Sequence, residues 1–195
     1  MSTAIAILAA GRGSRLGGDA SKPLLEWRGR PMVSWAVDAA MDSGLRPVLV
    51  VVGYRGDEVR AALTDRDVQV VDNPGWDEGI ASSLRVALTT LTPIAEVTAV
   101  CVGLADQPMI DPDVYRRLDA GMGGEITVPT YDGEPGNPVR LARSLWPEAM
   151  ELRGDAGARK LMRDRVVDWI DCTGTGSAAD VDTLEDLARL QQEDQ

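Results

Sequence analysis

Ala4-Ile5-Ala6-Ile7-Leu8-Ala9 runs without a break into Ala10-Gly11-Arg12-Gly13-Ser14-Arg15-Leu16-Gly17-Gly18, and Lys22 follows a few residues later. A short apolar run that ends in glycines reads as a buried strand delivering its carboxyl end into a tight loop. Glycine lets backbone amides come close to an anion, and arginine adds fixed positive charge with bidentate geometry. The stretch therefore reads as a phosphate-binding loop, with an ordinary glycine-rich turn as its alternative. Lys22 favours the first. The chain has 18 arginines and two lysines, Lys22 and Lys160, and a lysine kept in so arginine-biased a chain points to a need for a compact point charge.

Outward from this loop, further short β-branched runs occupy residues 48–52, 68–71, 97–104, 126–128 and 166–170. Between them, residues 32–41 and 80–91 carry apolar side chains at helical intervals, the second with Ile80, Leu84, Ala87, Leu88 and Leu91 on one stripe. Asp111 before Pro112 reads as an N-cap with proline in the first helical position. Strands alternating with helices predict an α/β protein, with a mostly parallel sheet covered by helices on both faces. Ligands of such sheets bind outside the carboxyl ends of the strands. The functional candidates therefore lie in segments 10–22, 53–55, 72–79, 106–108 and 131–138. No internal repeat or linker is visible, and residues 191–195 read as a frayed tail.

At 195 residues and 44% hydrophobic, the chain suffices for one buried core, and a single domain over residues 1–195 is expected. No apolar run nears the ~20 residues of a membrane-spanning helix, and the N-terminus has none of the parts of a secretion signal. A cytoplasmic protein with no membrane partner is expected. The net charge of −11 argues against nucleic acid, because non-specific phosphate binding needs a basic surface. With no histidine in the chain, imidazole bases, histidine metal ligands and serine-histidine triads are excluded. Cys101 and Cys172 have no metal-ligand spacing and form no disulfide framework, so they read as buried or incidental thiols. Chemistry is left to carboxylates, lysine, arginine and backbone.

Two familiar glycine-rich motifs do not fit the loop. A dinucleotide fingerprint needs G-x-G-x-x-G and an acidic residue ending the second strand, whereas the glycines stand at Gly11, Gly13 and Gly17 and the second run ends at Gly53. The Walker pattern G-x-x-x-x-G-K-[ST] has no match. The run 97–104 leads into Ala105-Asp106-Gln107-Pro108, which puts a carboxylate at the ligand edge, where it serves a ligand or simply the turn. A partner carboxylate stands in Asp180-Val181-Asp182-Thr183, where Asp182 or Thr183 alternatively caps the helix that follows. Two hard oxygen ligands plus substrate phosphates suit Mg²⁺.

These residues resemble the MobA-like nucleotidyltransferases, and within them the molybdenum cofactor cytidylyltransferases. The loop is similar to the family's L-A-A-G-x-G-x-R-[ML]-G, with Lys22 at its lysine and Gly29-Arg30-Pro31 at its turn. Asn73-Pro74-Gly75-Trp76 with Glu78-Gly79-Ile80-Ala81-Ser82-Ser83-Leu84-Arg85 resembles N-P-x-W-x-x-G-x-x-S-S-L-R, and Asp106-Gln107-Pro108 matches D-Q-P. Gly136-Asn137-Pro138 and Gly154-Asp155-Ala156-Gly157-Ala158-Arg159 resemble G-[HN]-P and G-D-x-G-A-R. The chain departs from the subgroup at Asn137, often histidine there, and at Leu184, a proline in D-[IV]-D-T-P-E-D.

The resemblance implies a Rossmann-like sheet of the nucleotide-diphospho-sugar transferase type. It also implies Mg²⁺-dependent transfer of a nucleoside monophosphate from an NTP to a small phosphorylated acceptor. Leu8, Ala9, Ala10, Gly11 and Gly13 would hold the nucleotide, with Arg15, Lys22, Asp72, Gly79, Ser82, Ser83 and Asp106 completing its site. Arg15, Lys22 and Asp106 would be the catalytic groups, and Asp106 and Asp182 the Mg²⁺ ligands. Gly136, Asn137, Pro138, Gly154, Asp155, Gly157 and Arg159 would hold the acceptor, with capping of a short helix as the alternative duty of Asp155. Ala10 resembles the cytidylyl-transferring members, whereas guanylyl-transferring relatives usually carry a second glycine, so CTP and molybdopterin are the expected substrates of a monomer or weak dimer. Open alternatives are another base or acceptor, a pyridine-nucleotide-dependent oxidoreductase on the same scaffold, and a nonenzymatic cofactor-binding chaperone.

Overall fold

In the computed structural model, which describes residues 2–13, 21–121, 123–163, 165–181 and 183–192, the N-terminal apolar run is strand β1 (Ser2–Ala9), inside a sheet. The two-residue period of a strand sends its side chains to opposite faces. Ala4, Ala6 and Leu8 enter one core, and Ile5, Ile7 and Ala9 enter another. A strand apolar on both faces needs helices on both. One face is covered by α3 (Ile80–Leu91), through Leu84, Ala87, Leu88 and Leu91, and by α5 (Trp146–Ala149), through Trp146. The other is covered by α1 (Met32–Asp42) through Val33, Ala36, Val37 and Ala40, by α2 (Gly56–Ala61) through Val59, and by α4 (Pro112–Asp119) through Val114, Tyr115 and Leu118. The C-terminal α6 (Leu184–Gln192) docks Leu190 against Trp27 and Met32.

Strands β4 (Val48–Val52), β5 (Gln69–Asp72), β6 (Val97–Leu104), β7 (Ile126–Tyr131), β8 (Glu134–Pro135), β9 (Val139–Ala142) and β10 (Val167–Asp171) complete the sheet in the order β10-β7-β9-β6-β1-β4-β5, with β8 beside β7. β1 pairs in parallel with β4 and β6, as do β4 with β5 and β10 with β7. β9 is antiparallel to both β6 and β7, and β8 is antiparallel to β7. From β1 the chain moves outward through β4 and β5, then returns to β6 on the far side of β1. The strand order reverses there, and ligands of open α/β sheets occupy the crevice at such a switch point.

The sequence differs from this picture in places. The run 68–71 shifts by one residue, 126–128 continues to Tyr131, and Val166 lies exposed outside β10. β8, β9, the hairpin of β2 (Glu26–Trp27) with β3 (Arg30–Pro31), α2 and α5 had no counterpart in the sequence pattern. Asp111 does cap α4, its Oδ1 accepting the Asp113 N–H at 2.7 Å. At α6 the capping duty falls to Thr183: its hydroxyl accepts the Asp186 N–H at 3.1 Å, and the Asp186 carboxylate accepts the Thr183 N–H at 2.9 Å. Asp155 is not the cap of the short 3-10 helix Ala158–Met162, whose N-cap position is Gly157. Cys101 and Cys172 are free and buried. Among the described residues no helix is long and apolar enough to cross a membrane.

Candidate functional site

The carboxyl ends of β1 and β6 open into a cavity of about 550 Å³. Leu8, Ala9, Ala10, Gly11 and Gly13 line it, together with Lys22, Gly79, Ser83 and Asp106. The loop after β1 is anchored on both sides. The Ala105 N–H donates to the Leu8 carbonyl at 3.2 Å, and the Tyr54 N–H donates to the Ala10 carbonyl at 3.1 Å. Lys22 Nζ donates to Asp106 Oδ2 at 3.2 Å, and both side chains are largely covered, 17% and 20% exposed. An entering phosphate beside Lys22 and a cation beside Asp106 would exchange this ion pair for two new ones.

Other expected nucleotide-site residues are not brought to the cavity wall. Asp72 accepts from Arg60 Nη2 through both carboxylate oxygens, at 2.8 and 2.9 Å, on the edge strand β5. Ser82 is buried behind the wall: its hydroxyl donates to the Gly79 carbonyl at 2.8 Å and accepts from Asn73 Nδ2 at 2.8 Å. Arg15 and Asp182 lie outside the described residues. Conversely, Arg12, Pro23, Trp76, Asp77, Ile80 and Leu104 line the cavity without having been singled out. Arg12, Trp76 and Ile80 belong to the motifs that carry the family resemblance, but only the path of the backbone shows which way they face.

A second cavity, of about 280 Å³, shares Leu8, Ile80, Leu104 and Asp155 with the first. Of the expected acceptor residues, Asn137, Asp155, Gly157 and Arg159 line it, whereas Gly136, Pro138 and Gly154 do not. Gly136 and Gly154 shape the backbone instead. The Gly154 carbonyl accepts the Ala81 N–H at 3.0 Å, satisfying a donor that the start of α3 leaves without a helical partner. The Gly136 N–H donates to the Pro129 carbonyl at 2.9 Å, and a Cβ at Gly136 would stand 2.3 Å from the Tyr131 ring. Burial pushes the Tyr131 phenol well above its usual value. It therefore stays protonated and donates to the Asn137 carbonyl at 2.9 Å. Arg159 Nη2 donates to the Pro135 carbonyl at 3.2 Å.

The C-terminal segment lies along the loop after β6. Gln107 Nε2 donates to Asp180 Oδ1 at 2.7 Å and to the Ala178 carbonyl at 2.8 Å, and the Val181 N–H donates to the Asp106 carbonyl at 3.1 Å. Among the described residues no group of three or more acidic or thiol side chains converges on one point. Asp77, Asp106 and Asp155 each face the larger cavity. Hard carboxylate oxygens of this kind suit Mg²⁺ or Mn²⁺ where a substrate phosphate supplies the remaining ligands, since such ions take few protein carboxylates.

The sequence model of the MobA-like NTP transferase domain matches residues 5–169. Among curated proteins, the chain is similar to the nicotine blue oxidoreductase of Paenarthrobacter nicotinovorans, 33% identical over 94% of each chain. It is also similar to the molybdenum cofactor cytidylyltransferase of Escherichia coli, 23% identical over 95% of this chain and 94% of that one. Among solved structures it resembles Rv0371c of Mycobacterium tuberculosis, 32% identical, with a TM-score of 0.87 over 98% of this chain and 97% of that one. A complex of Rv0371c with manganese superposes with a TM-score of 0.84, at 30% identity, over 98% and 99% of the two chains. The fold is that of the nucleotide-diphospho-sugar transferases, as the sequence resemblance implied.

Proposed function

The chain belongs to the MobA-like NTP transferase family, and from that premise we propose that it moves CMP from CTP onto a phosphorylated acceptor, by resemblance molybdopterin, and releases pyrophosphate. The observation that carries the proposal is the meeting of the glycine-rich loop, Lys22 and Asp106 around one cavity at the switch point of the sheet. Backbone amides after β1 face the triphosphate and Lys22 adds a point charge beside it. An oxygen of the acceptor phosphate attacks the α-phosphorus. The bond from that phosphorus to the oxygen bridging it to the β-phosphorus breaks, and pyrophosphate leaves with the electron pair. The attacking phosphate is already ionised, so no base removes a proton, in keeping with a chain that has no histidine. The protein's part is positioning and charge neutralisation. A divalent cation, proposed as Mg²⁺ held by Asp106 with Asp182 as the second carboxylate, would supply further neutralisation at the phosphate oxygens. Ala10 lines the cavity, and its resemblance to the cytidylyl-transferring members is what supports CTP over GTP; a cytoplasmic setting goes with this reaction.

The similarity to an oxidoreductase across 94% of both chains favours a second reading, a pyridine-nucleotide-dependent oxidoreductase on the same scaffold. One panel separates the two. Melting temperature is measured with CTP, GTP, UTP, ATP and NADPH, each with and without Mg²⁺ or Mn²⁺, and ligands that stabilise go on to turnover assays. A ligand at ~100 times its Kd stabilises by about 2.7 kcal/mol. The transferase reading expects a cation-dependent shift with CTP, and pyrophosphate release once molybdopterin is added. A shift with NADPH and none with any NTP would overturn it.

A further inference from the structure

Trp76 opens the 3-10 helix Trp76–Glu78, in the loop that brings β5 back toward the sheet centre. That loop is pinned by Asn73, a buried side chain whose Nδ2 donates to Ser82 Oγ at 2.8 Å and to Ser83 Oγ at 3.0 Å, and whose Oδ1 accepts the Gly75 N–H at 3.0 Å. Trp76 is thereby set against the ends of two other strands. A Cβ built on Gly53, just after β4, would stand 2.5 Å from Trp76 Cβ, 2.8 Å from Trp76 Cγ and 2.9 Å from Ala10 Cβ. The bare backbone at Gly53, the methyl of Ala10 and the root of the indole thus meet at one point. Tyr54 braces the arrangement: its ring centroid lies 5.3 Å from that of Trp76 at 55°, and Arg12 Cζ lies 5.3 Å from the Tyr54 centroid.

Trp76 lines the same cavity as Lys22 and Asp106, alongside the apolar side chains of Leu8, Ile80 and Leu104. The Lys22 ammonium and the Arg12 guanidinium, which both line it, suit phosphates. An aromatic plane among aliphatic side chains suits a flat heterocycle, because every nucleoside ring has a π-face that stacks on indole. We propose that Trp76 is the wall against which the heterocyclic ring of the bound nucleotide lies, and that Gly53 is the positioning residue that lets it stand there. The proposal deepens the nucleotide-binding reading of this cavity and rests on it. It does not depend on whether that nucleotide is an NTP or a pyridine dinucleotide.

The test is calorimetric titration of the parent, Trp76→Ala, Trp76→Phe and Gly53→Ala with CTP, GTP, NADPH and inorganic tripolyphosphate, which has charge but no ring. Trp76→Ala is expected to weaken whichever nucleotide the parent binds at least tenfold, with tripolyphosphate affinity unchanged. Trp76→Phe, which keeps an aromatic face, should stay within threefold of the parent. Gly53→Ala, which keeps the indole but displaces it, should lose nucleotide affinity and spare tripolyphosphate. Equal losses for nucleotide and tripolyphosphate, or nucleotide affinity unchanged in both Trp76→Ala and Gly53→Ala, would overturn the assignment. Should Trp76→Ala fail to fold, Gly53→Ala and Trp76→Phe decide. Trp76-dependent binding of NADPH alone would uphold the ring wall and sink the transferase reading, and a parent that binds no nucleotide would sink both.

Discussion

Replacing Gly79 by alanine tests how the two cavities are built. Gly79 has φ +103° and ψ −179°, a conformation essentially confined to glycine. A Cβ there would stand 2.5 Å from the carbonyl carbon and oxygen of Gly154 and 2.8 Å from Asp155 Oδ1. The obstacle is mainly backbone, which cannot swing aside as a flexible side chain can. Holding a non-glycine residue in this region costs about 1–3 kcal/mol. Pushing Gly154 away also weakens its hydrogen bond from the Ala81 N–H, worth about 1 kcal/mol. The expected loss is about 2–4 kcal/mol, which for a chain of this size lowers Tm by roughly 5–15 °C. Asp155 lines both cavities, so ligand affinity should fall as well. Gly157→Ala is the control: its φ is −81° and its added Cβ would come no closer than 3.9 Å to Ile80. Thermal and urea unfolding followed by circular dichroism give the comparison. If Gly79→Ala melts within 2 °C of the parent, or no lower than Gly157→Ala, the close approach of the 154–155 backbone to α3 is not what holds the wall.

Lys22→Met should weaken transfer far more than it weakens CTP binding, because charge that shifts onto pyrophosphate in the transition state needs the cation; calorimetry set beside pyrophosphate release measures both, and equal losses contradict it. Asp106→Asn should abolish cation-dependent turnover, and activity within threefold of the parent at saturating Mg²⁺ would remove Asp106 from the metal site. Arg159→Ala should raise the acceptor KM at least tenfold, about 1.4 kcal/mol, with the CTP Kd unchanged. Burial alone would raise the Asp38 carboxyl, but hydrogen bonds from Arg66 and Arg30 outweigh it and hold it below its ordinary value. That contribution is complete above the unfolded pKa and is lost as pH falls through the lower folded one. The stability gap between parent and Asp38→Asn, read from urea melts, should therefore begin to narrow only below about pH 4.

The elements legible in the sequence are those whose apolar pattern is long and buried on its own account. Residues 48–52, 97–104 and 80–91 coincide with β4, β6 and α3, whose strand interiors or helix stripes enter the core. β9 was not legible, because four residues with only Val139 and Leu141 buried give too short an alternation to recognise. What makes it a strand is its fit between β6 and β7, where Val139 pairs with Val102 and Leu141 with Ile126. α2 was hidden for a similar reason: Val59 is its one buried residue, too little to mark a helical face.

For the site, local chemistry was legible and lateral distance was not. A glycine-rich turn after an apolar run is written in neighbouring residues, so the segment after β1 that lines the larger cavity was legible. Asp72 does stand at the carboxyl end of a strand, but that strand is two places from β1. Strands lie about 4.8 Å apart, so it starts some 10 Å from the strand that carries the glycine-rich loop. Trp76 crosses this gap because the loop after β5 folds back and Gly53 leaves room for it. The same lateral logic bears on the acceptor. In-line transfer needs the attacking oxygen about 3–3.5 Å from the α-phosphorus, so donor and acceptor sites cannot be remote from each other. The cavities meet across Leu8, Ile80, Leu104 and Asp155. In the transferase reading, the reacting phosphates would come together at this shared wall. Asp155, which does not take up the alternative duty of capping a helix, is the polar side chain common to both sides of it.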